Sequence, residues 1–123
     1  MNVHYTNKPA NTEILEAAIE DARDFFDREA LTLWDVCNSI NDVEACDTVE
    51  DLVGLFDQPS PDGEMIAWSI NQIIIPLLTV PFALVDMLEH ETGLSGGLGN
   101  AIKYYGPRLS DISTRLQRAS QGG

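Results

Sequence analysis

The chain has 123 residues, 44% of them apolar, and a formal net charge of −13. This length suits one folding unit, and the apolar content argues against wholesale disorder. Seven lysine and arginine residues against twenty aspartate and glutamate residues exclude nonspecific nucleic-acid binding, which needs clustered cations. Such acidity has two interpretations: a halophilic source, in which the surface must stay hydrated in high salt, or simply a solvated acidic face.

The first predicted element is an amphipathic helix over residues 12–41. Apolar residues recur there at helical spacing, namely Leu15, Ala18, Ile19, Ala22, Phe25, Phe26, Ala30, Leu33, Trp34, Cys37 and Ile40. The pattern allows one helix or two helices with a bend near residues 28–30. Acidic side chains between these positions form a candidate face for a basic partner, consisting of Glu16, Glu20, Asp24 and Asp27.

A second, shorter helix is predicted after a polar connector over residues 38–47. Thr48 and Asp51 have the spacing of a capping box at its start. The helix is expected to stop at the turn cluster of residues 58–63, where Ser60 and Pro61 suit the start of the next helix.

The two cysteines, Cys37 and Cys46, permit a disulfide but do not require one. Together with His4 and His90 they could supply four metal ligands, but the sequence has none of the close ligand pairs that structural zinc prefers. We therefore predict no metal site and buried thiols.

Residues 65–85 are the most informative segment, because 21 consecutive positions carry no charge. A helix of that length, at about 1.5 Å per residue, spans the hydrocarbon core of a bilayer. Pro76 and Pro81 each remove a helical hydrogen bond and disfavour helix in the preceding residue. One interpretation is a single long, proline-kinked helix in a membrane or an assembly. The other, for a soluble protein, is two helices over residues 61–75 and 82–92 joined by an apolar elbow buried under the first helix.

This uncharged segment is too apolar to remain in contact with water, so lipid or protein must cover it. The residues expected to form the membrane or core segment are Trp68, Ile73, Ile74, Ile75, Pro76, Leu77, Leu78, Pro81 and Phe82.

The C-terminal part begins with a glycine run at residues 96–99, which lacks the Gly-Lys-Ser/Thr ending and the preceding strand of a phosphate-binding loop. An apolar seam follows at spacings of four and three, formed by Leu98, Ile102, Tyr105, Leu109, Ile112 and Leu116. Leu109, Ile112 and Leu116 are expected to pack on neighbouring helices. Pro107 should interrupt the seam, leaving a helix over residues 108–120.

The charge is distributed unevenly along the chain. Residues 1–64 contain sixteen acidic and three basic residues, whereas residues 65–123 contain four of each. After residue 92 there are four basic residues and one acidic residue, so the tail is weakly basic. If residues 65–85 cross a membrane, this tail is expected on the cytoplasmic side. The polar residues 1–11 do not resemble a secretory signal.

These patterns predict an all-α fold, a small hairpin or bundle of about four helices with one long apolar, proline-kinked central helix. We divide the chain into an acidic amphipathic region (1–64), an apolar central helix that is a possible transmembrane segment (65–92), and a glycine loop with an amphipathic C-terminal helix (93–123). All three are expected to belong to a single folding unit.

No catalytic constellation is recognisable, since His4 lies in the polar N-terminal stretch and His90 at a helix end, away from any serine in the sequence pattern. We therefore expect no enzyme activity, cofactor or small-molecule substrate, and no nucleic-acid binding beyond the weakly basic tail. The expected role is a structural or interaction subunit, membrane-inserted or buried in an oligomeric assembly such as a virion. The alternative is a soluble, cytoplasmic acidic adaptor or assembly chaperone that binds a basic partner.

Overall fold

The computed structural model describes residues 7–89 and 97–121, with side chains described from Glu13 onward. Over these residues the chain forms five helices and no strand, so the predicted all-α class is confirmed there. The helices are α1 (Asn7–Ser39), α2 (Val43–Phe56), α3 (Gly63–Thr79), α4 (Phe82–Glu89) and α5 (Leu98–Ser120). The predicted count of about four helices is wrong, because the apolar segment contributes two helices.

The turn between α1 and α2 is shorter than the predicted connector and occupies residues 40–42. Asn41 adopts a left-handed conformation there, with φ 59°, which asparagine tolerates better than most residues. The side chain of Asp42 then accepts a hydrogen bond from the Ala45 backbone N–H at 2.9 Å and caps α2. The predicted capping box at Thr48 is therefore wrong, and its hydroxyl donates to the Glu44 carbonyl within the helix.

An aspartate also starts α3. One Asp62 carboxylate oxygen accepts hydrogen bonds from the backbone N–H groups of Glu64 and Met65, at 3.0 and 3.2 Å. These bonds satisfy two of the amides left unpaired at a helix start. The helix consequently begins at Gly63, just after the predicted start at Ser60 and Pro61.

The predicted single long apolar helix is wrong, because the chain bends by 86° between α3 and α4. Val80 precedes Pro81 and is extended, with φ −64° and ψ 129°, as expected for a residue before proline. Pro76, by contrast, lies inside α3. The last turn around it is otherwise well bonded, since the Thr79 hydroxyl donates to the Ile75 carbonyl at 2.8 Å.

The two-helix alternative describes this segment better, although α3 extends four residues beyond its expected end at residue 75. Its elbow was expected to be buried under the first helix, and that is wrong. Val80 is half-buried, while Pro81 and Phe82 are exposed. The reason is that α4 packs mainly on α5, at the edge of the fold, and not on α1.

The core lies inside a ring of four helices. α3 packs against α5 and α2, and α1 packs against α2 and α5, which closes the ring. The largest side chains that are less than 2% exposed come from all four helices: Phe26, Leu33, Val36, Val49, Leu52, Ile66, Ile70, Ile73, Leu77, Leu98, Leu109 and Leu116. All the described buried apolar residues belong to one continuous core.

Helix α5 runs through Pro107, so the predicted interruption is wrong. Tyr105 and Leu109 on either side of the proline are buried and hold the helix against its neighbours. Pro107 itself is exposed, as is Lys103, whose carbonyl loses its helical partner. Water can therefore solvate that carbonyl, which reduces the energetic cost of the proline.

Three side-chain contacts fix α5 against α1 and α3. The Tyr105 hydroxyl donates to the Glu29 carboxylate at 2.6 Å. The Arg115 guanidinium donates to Asp21 at 2.6 Å. On the other side, the buried Ser113 hydroxyl donates to the Asn71 side-chain oxygen at 2.8 Å. Burial of apolar side chains drives the packing of these helices, and the polar contacts fix their relative orientation.

Candidate functional site

The predicted membrane or core segment is divided between the interior and the surface of the fold. Ile73, Ile74 and Leu77 are buried in the core. The others point outward or are half-buried: Trp68 is 60% exposed, Ile75 55%, Leu78 66% and Phe82 85%, with Pro81 exposed and Pro76 half-buried. Large apolar side chains in contact with water on this scale are typical of interaction surfaces when they cluster.

Two of these outward side chains, Leu78 and Phe82, meet at one cleft, which we call the elbow cleft. It lies beside the α3–α4 bend and has a volume of about 590 Å³. Its walls are mainly apolar and consist of Leu77, Leu78, Val80, Phe82, Val85 and Ile102. The cleft is open to solvent, so a partner can reach the walls without a rearrangement of the helices.

The elbow cleft has a polar rim, formed by Asp86 and Glu89 of α4 and by Gly99, Asn100 and Lys103 of α5. Asp86 and Lys103 are exposed and have opposite charges. Val80, Val85 and this rim were not predicted as site residues, and Ile102 was predicted only as part of the apolar seam. The signal that could have located the cleft is Pro81, because a break there must turn α4 away from the axis of α3.

Glu89, on the rim of the cleft, contacts the first turn of α5. Its carboxylate accepts a hydrogen bond from the Gly99 backbone N–H at 3.1 Å, which suits the positive end of the helix dipole. Gly97 has φ 90°, and a Cβ there would lie 2.2 Å from a Glu89 carboxylate oxygen, so only glycine fits. The amide that a phosphate loop would offer to a ligand is thus bonded to the chain's own carboxylate.

The predicted acidic partner face on α1 is solvent-exposed at all four positions: Glu16, Glu20, Asp24 and Asp27. Glu20 forms an ion pair with Arg23, whose guanidinium also donates to the Phe56 carbonyl at 2.8 Å. Glu16 and Glu20 line a groove of about 420 Å³ next to Pro59 and Pro61. The face is therefore accessible but partly neutralised by Arg23.

The predicted partner-helix seam, Leu109, Ile112 and Leu116, is buried within the chain itself. These residues lie on α5, which packs against α3 and α1. They contribute to the core of this chain and are not available to another molecule.

Both cysteines are buried and form no disulfide. The Cys46 thiol contacts the Trp34 carbonyl, 3.7 Å away. Among the residues that the structure describes, no group of three or more His, Cys, Asp or Glu side chains is arranged to hold a metal ion. His4 and His90, the other candidate ligands, lie outside that part of the chain, as does Gly93.

None of the described helices is by itself both long and apolar enough to cross a bilayer, and only the bent pair α3 and α4 reaches that length and composition jointly. Comparison with known proteins found no matching family model, no similar curated protein and no similar solved structure. The function is therefore inferred from the geometry of the chain alone.

Proposed function

We propose that the protein is a non-enzymatic interaction subunit that binds another protein through the elbow cleft within a larger assembly. A virion is one assembly of this kind, in which the protein would be a minor component. The observation that carries the proposal is the exposure of two large apolar side chains, Leu78 and Phe82, on the walls of one open and mainly apolar cleft.

Burial supports protein as the covering material in preference to lipid. Insertion of α3 into a bilayer would take Ile66, Ile70 and Ile73 out of the core, where each is fully buried. Each such side chain contributes roughly 1.5–3 kcal/mol to folding by its burial. Docking at the elbow cleft covers Leu78 and Phe82 and leaves those core contacts intact.

Photo-crosslinking tests the proposal in the native cell. A benzophenone side chain replaces Phe82 in one variant and Leu31, on α1, in a control variant. The two positions are matched, because Phe82 is 85% and Leu31 84% exposed. We expect a discrete protein adduct from position 82 and none from position 31. Adducts to lipid alone at position 82, or equal adducts at both positions, would contradict the proposal.

A second candidate function is an acidic adaptor that binds a basic partner through α1. The exposure of Glu16, Glu20, Asp24 and Asp27 favours it. Its test is capture of a basic protein that weakens as salt rises. Changing the four carboxylates to amides should abolish this capture, whereas the same change at Glu44, Asp47, Glu50 and Asp51 of α2, which are also exposed, should not.

A further inference from the structure

We infer that the partner in the elbow cleft is a second copy of this chain, bound in a two-fold symmetric dimer. The inference rests on the proposed function, because it identifies the occupant of the same cleft. A two-fold interface must be self-complementary: whatever one copy presents, the same surface of the other copy must receive. The elbow cleft meets this condition in both shape and charge.

The shape is self-complementary because a protruding side chain stands beside a depression. Phe82, the most exposed large apolar side chain among the described residues, is 85% exposed on the wall of a cleft of about 590 Å³. A two-fold axis at the elbow inserts each Phe82 into the cleft of the other copy. The walls that would receive it, including Val85 and Ile102, are apolar.

The charges at the rim are also self-complementary. Asp86 lies on α4 and Lys103 on α5, and both line the cleft. Neither forms an ion pair with another described residue. In a two-fold dimer, Asp86 of each copy can pair with Lys103 of the other copy, which gives two equivalent ion pairs and fixes the register of the contact.

The distribution of net charge selects this face for self-association. Two molecules of charge −13 repel each other, and the excess negative charge belongs to residues 1–64. Residues 65–123, which contain the whole elbow cleft, carry four acidic and four basic residues. The charged residues that line the elbow cleft are Asp86, Glu89 and Lys103, so two copies that meet there bring together less negative charge than two copies that meet at α1 or α2, and added salt should strengthen the dimer by screening the rest.

Charge exchange between copies tests the inference. In the Asp86→Lys variant, the substituted lysine of each copy would face Lys103 of the other copy. In the Lys103→Asp variant, the substituted aspartate of each copy would face Asp86 of the other copy. We expect each variant alone to dissociate about tenfold or more readily than the wild type, a change of about 1.4 kcal/mol. Mixing the two variants in equal amounts should restore the dimer, because both reciprocal pairs are then attractive. Sedimentation equilibrium measures the four dissociation constants, those of the wild type, of each variant and of the mixture.

Asp51→Lys is the matched control, since Asp51 is exposed on α2 and the substitution changes the net charge by the same amount as Asp86→Lys. It should leave the dissociation constant unchanged or lower it slightly by reducing repulsion. The inference would be overturned if the mixture of Asp86→Lys and Lys103→Asp remains monomeric, whatever each variant does alone. It would also be overturned by a wild-type protein that remains monomeric at about 100 μM.

The outcome also separates this inference from the proposed function. If position 82 forms an adduct with a different protein while the wild-type chain is monomeric, the second copy is rejected and docking at the elbow stands. If position 82 forms no protein adduct at all, both are rejected.

Discussion

Two buried acids, the thiol of Cys37 and the phenol of Tyr105, are held in their protonated forms by their surroundings. Burial raises the pKa of the Cys37 thiol from 9.0 to about 12, and the negative charges of Cys46 and Asp42 add to this. Burial also raises the pKa of Tyr105, and its hydrogen bond to Glu29 contributes further. Both groups therefore keep their protons in the folded chain at a pH where the unfolded chain releases them.

Stability should consequently decrease at alkaline pH. Unfolded Cys37 loses its proton as the pH rises past 9.0, whereas folded Cys37 keeps it until about pH 12. The contribution of this group is constant below that window and falls by about 1.4 kcal/mol per pH unit within it. Urea unfolding at pH 8 to about 11 measures the free energy of unfolding. The variant Cys37→Ala should be less stable at pH 8 but show a shallower decline, and an equal slope in both proteins would contradict the assignment.

Helix boundaries illustrate what local sequence can and cannot decide. The cap of α2 was predicted at Thr48, which lies inside the helix, whereas Asp42 is the residue that caps it. The left-handed Asn41 ends α1 early and gives the role to Asp42. The amphipathic stripe of α1 was predictable because charges alternate with apolar residues, and Ala22, Phe26 and Leu33 are indeed buried.

The candidate site was harder to predict for a related reason. Residues 65–85 contain no charge, so their pattern has no polar stripe to show which side of the helix faces the core. Packing makes that choice: Ile70 and Ile73 turn inward, while Ile75 and Leu78 remain outside. The sequence could predict that lipid or protein must shield this segment from water. It could not predict that the rest of the chain shields only one side of it.

Glycines in the helices provide a test of the packing between elements. A Cβ added at Gly54, inside α2, would meet no atom within 4 Å. At Gly63, the first residue of α3, it would lie 2.6 Å from the Ser120 hydroxyl oxygen and 2.9 Å from Leu15. Gly54→Ala should therefore stabilise the protein by about 0.5–1 kcal/mol. Gly63→Ala should destabilise it by about 1–3 kcal/mol.

Thermal unfolding followed by circular dichroism compares the two glycine variants directly. Opposite shifts of the melting temperature are expected, and the pair serves as its own control because both add one methyl group. Shifts of the same sign would mean that α3 does not approach α1 and α5 as closely as described.

Over the whole molecule, charge and apolar surface are segregated. The helices α1 and α2 carry most of the negative charge, while the elbow cleft lies at the end of the fold formed by α3, α4 and α5. The sequence predicted this asymmetry from the counts of charged residues alone. It could not predict that α5 closes the ring by packing on both α1 and α3, because that contact joins distant parts of the chain.

The position of α5 after α3 in the chain affects folding during synthesis. Ile66, Ile70 and Leu77 of α3 lie in the core, and α5, which follows α3 and α4 along the chain, is the main element packed against α3. During synthesis these isoleucine and leucine side chains emerge well before the helix that shields them. A growing polypeptide of this kind is vulnerable to aggregation until α5 has emerged from the ribosome and can pack against α3.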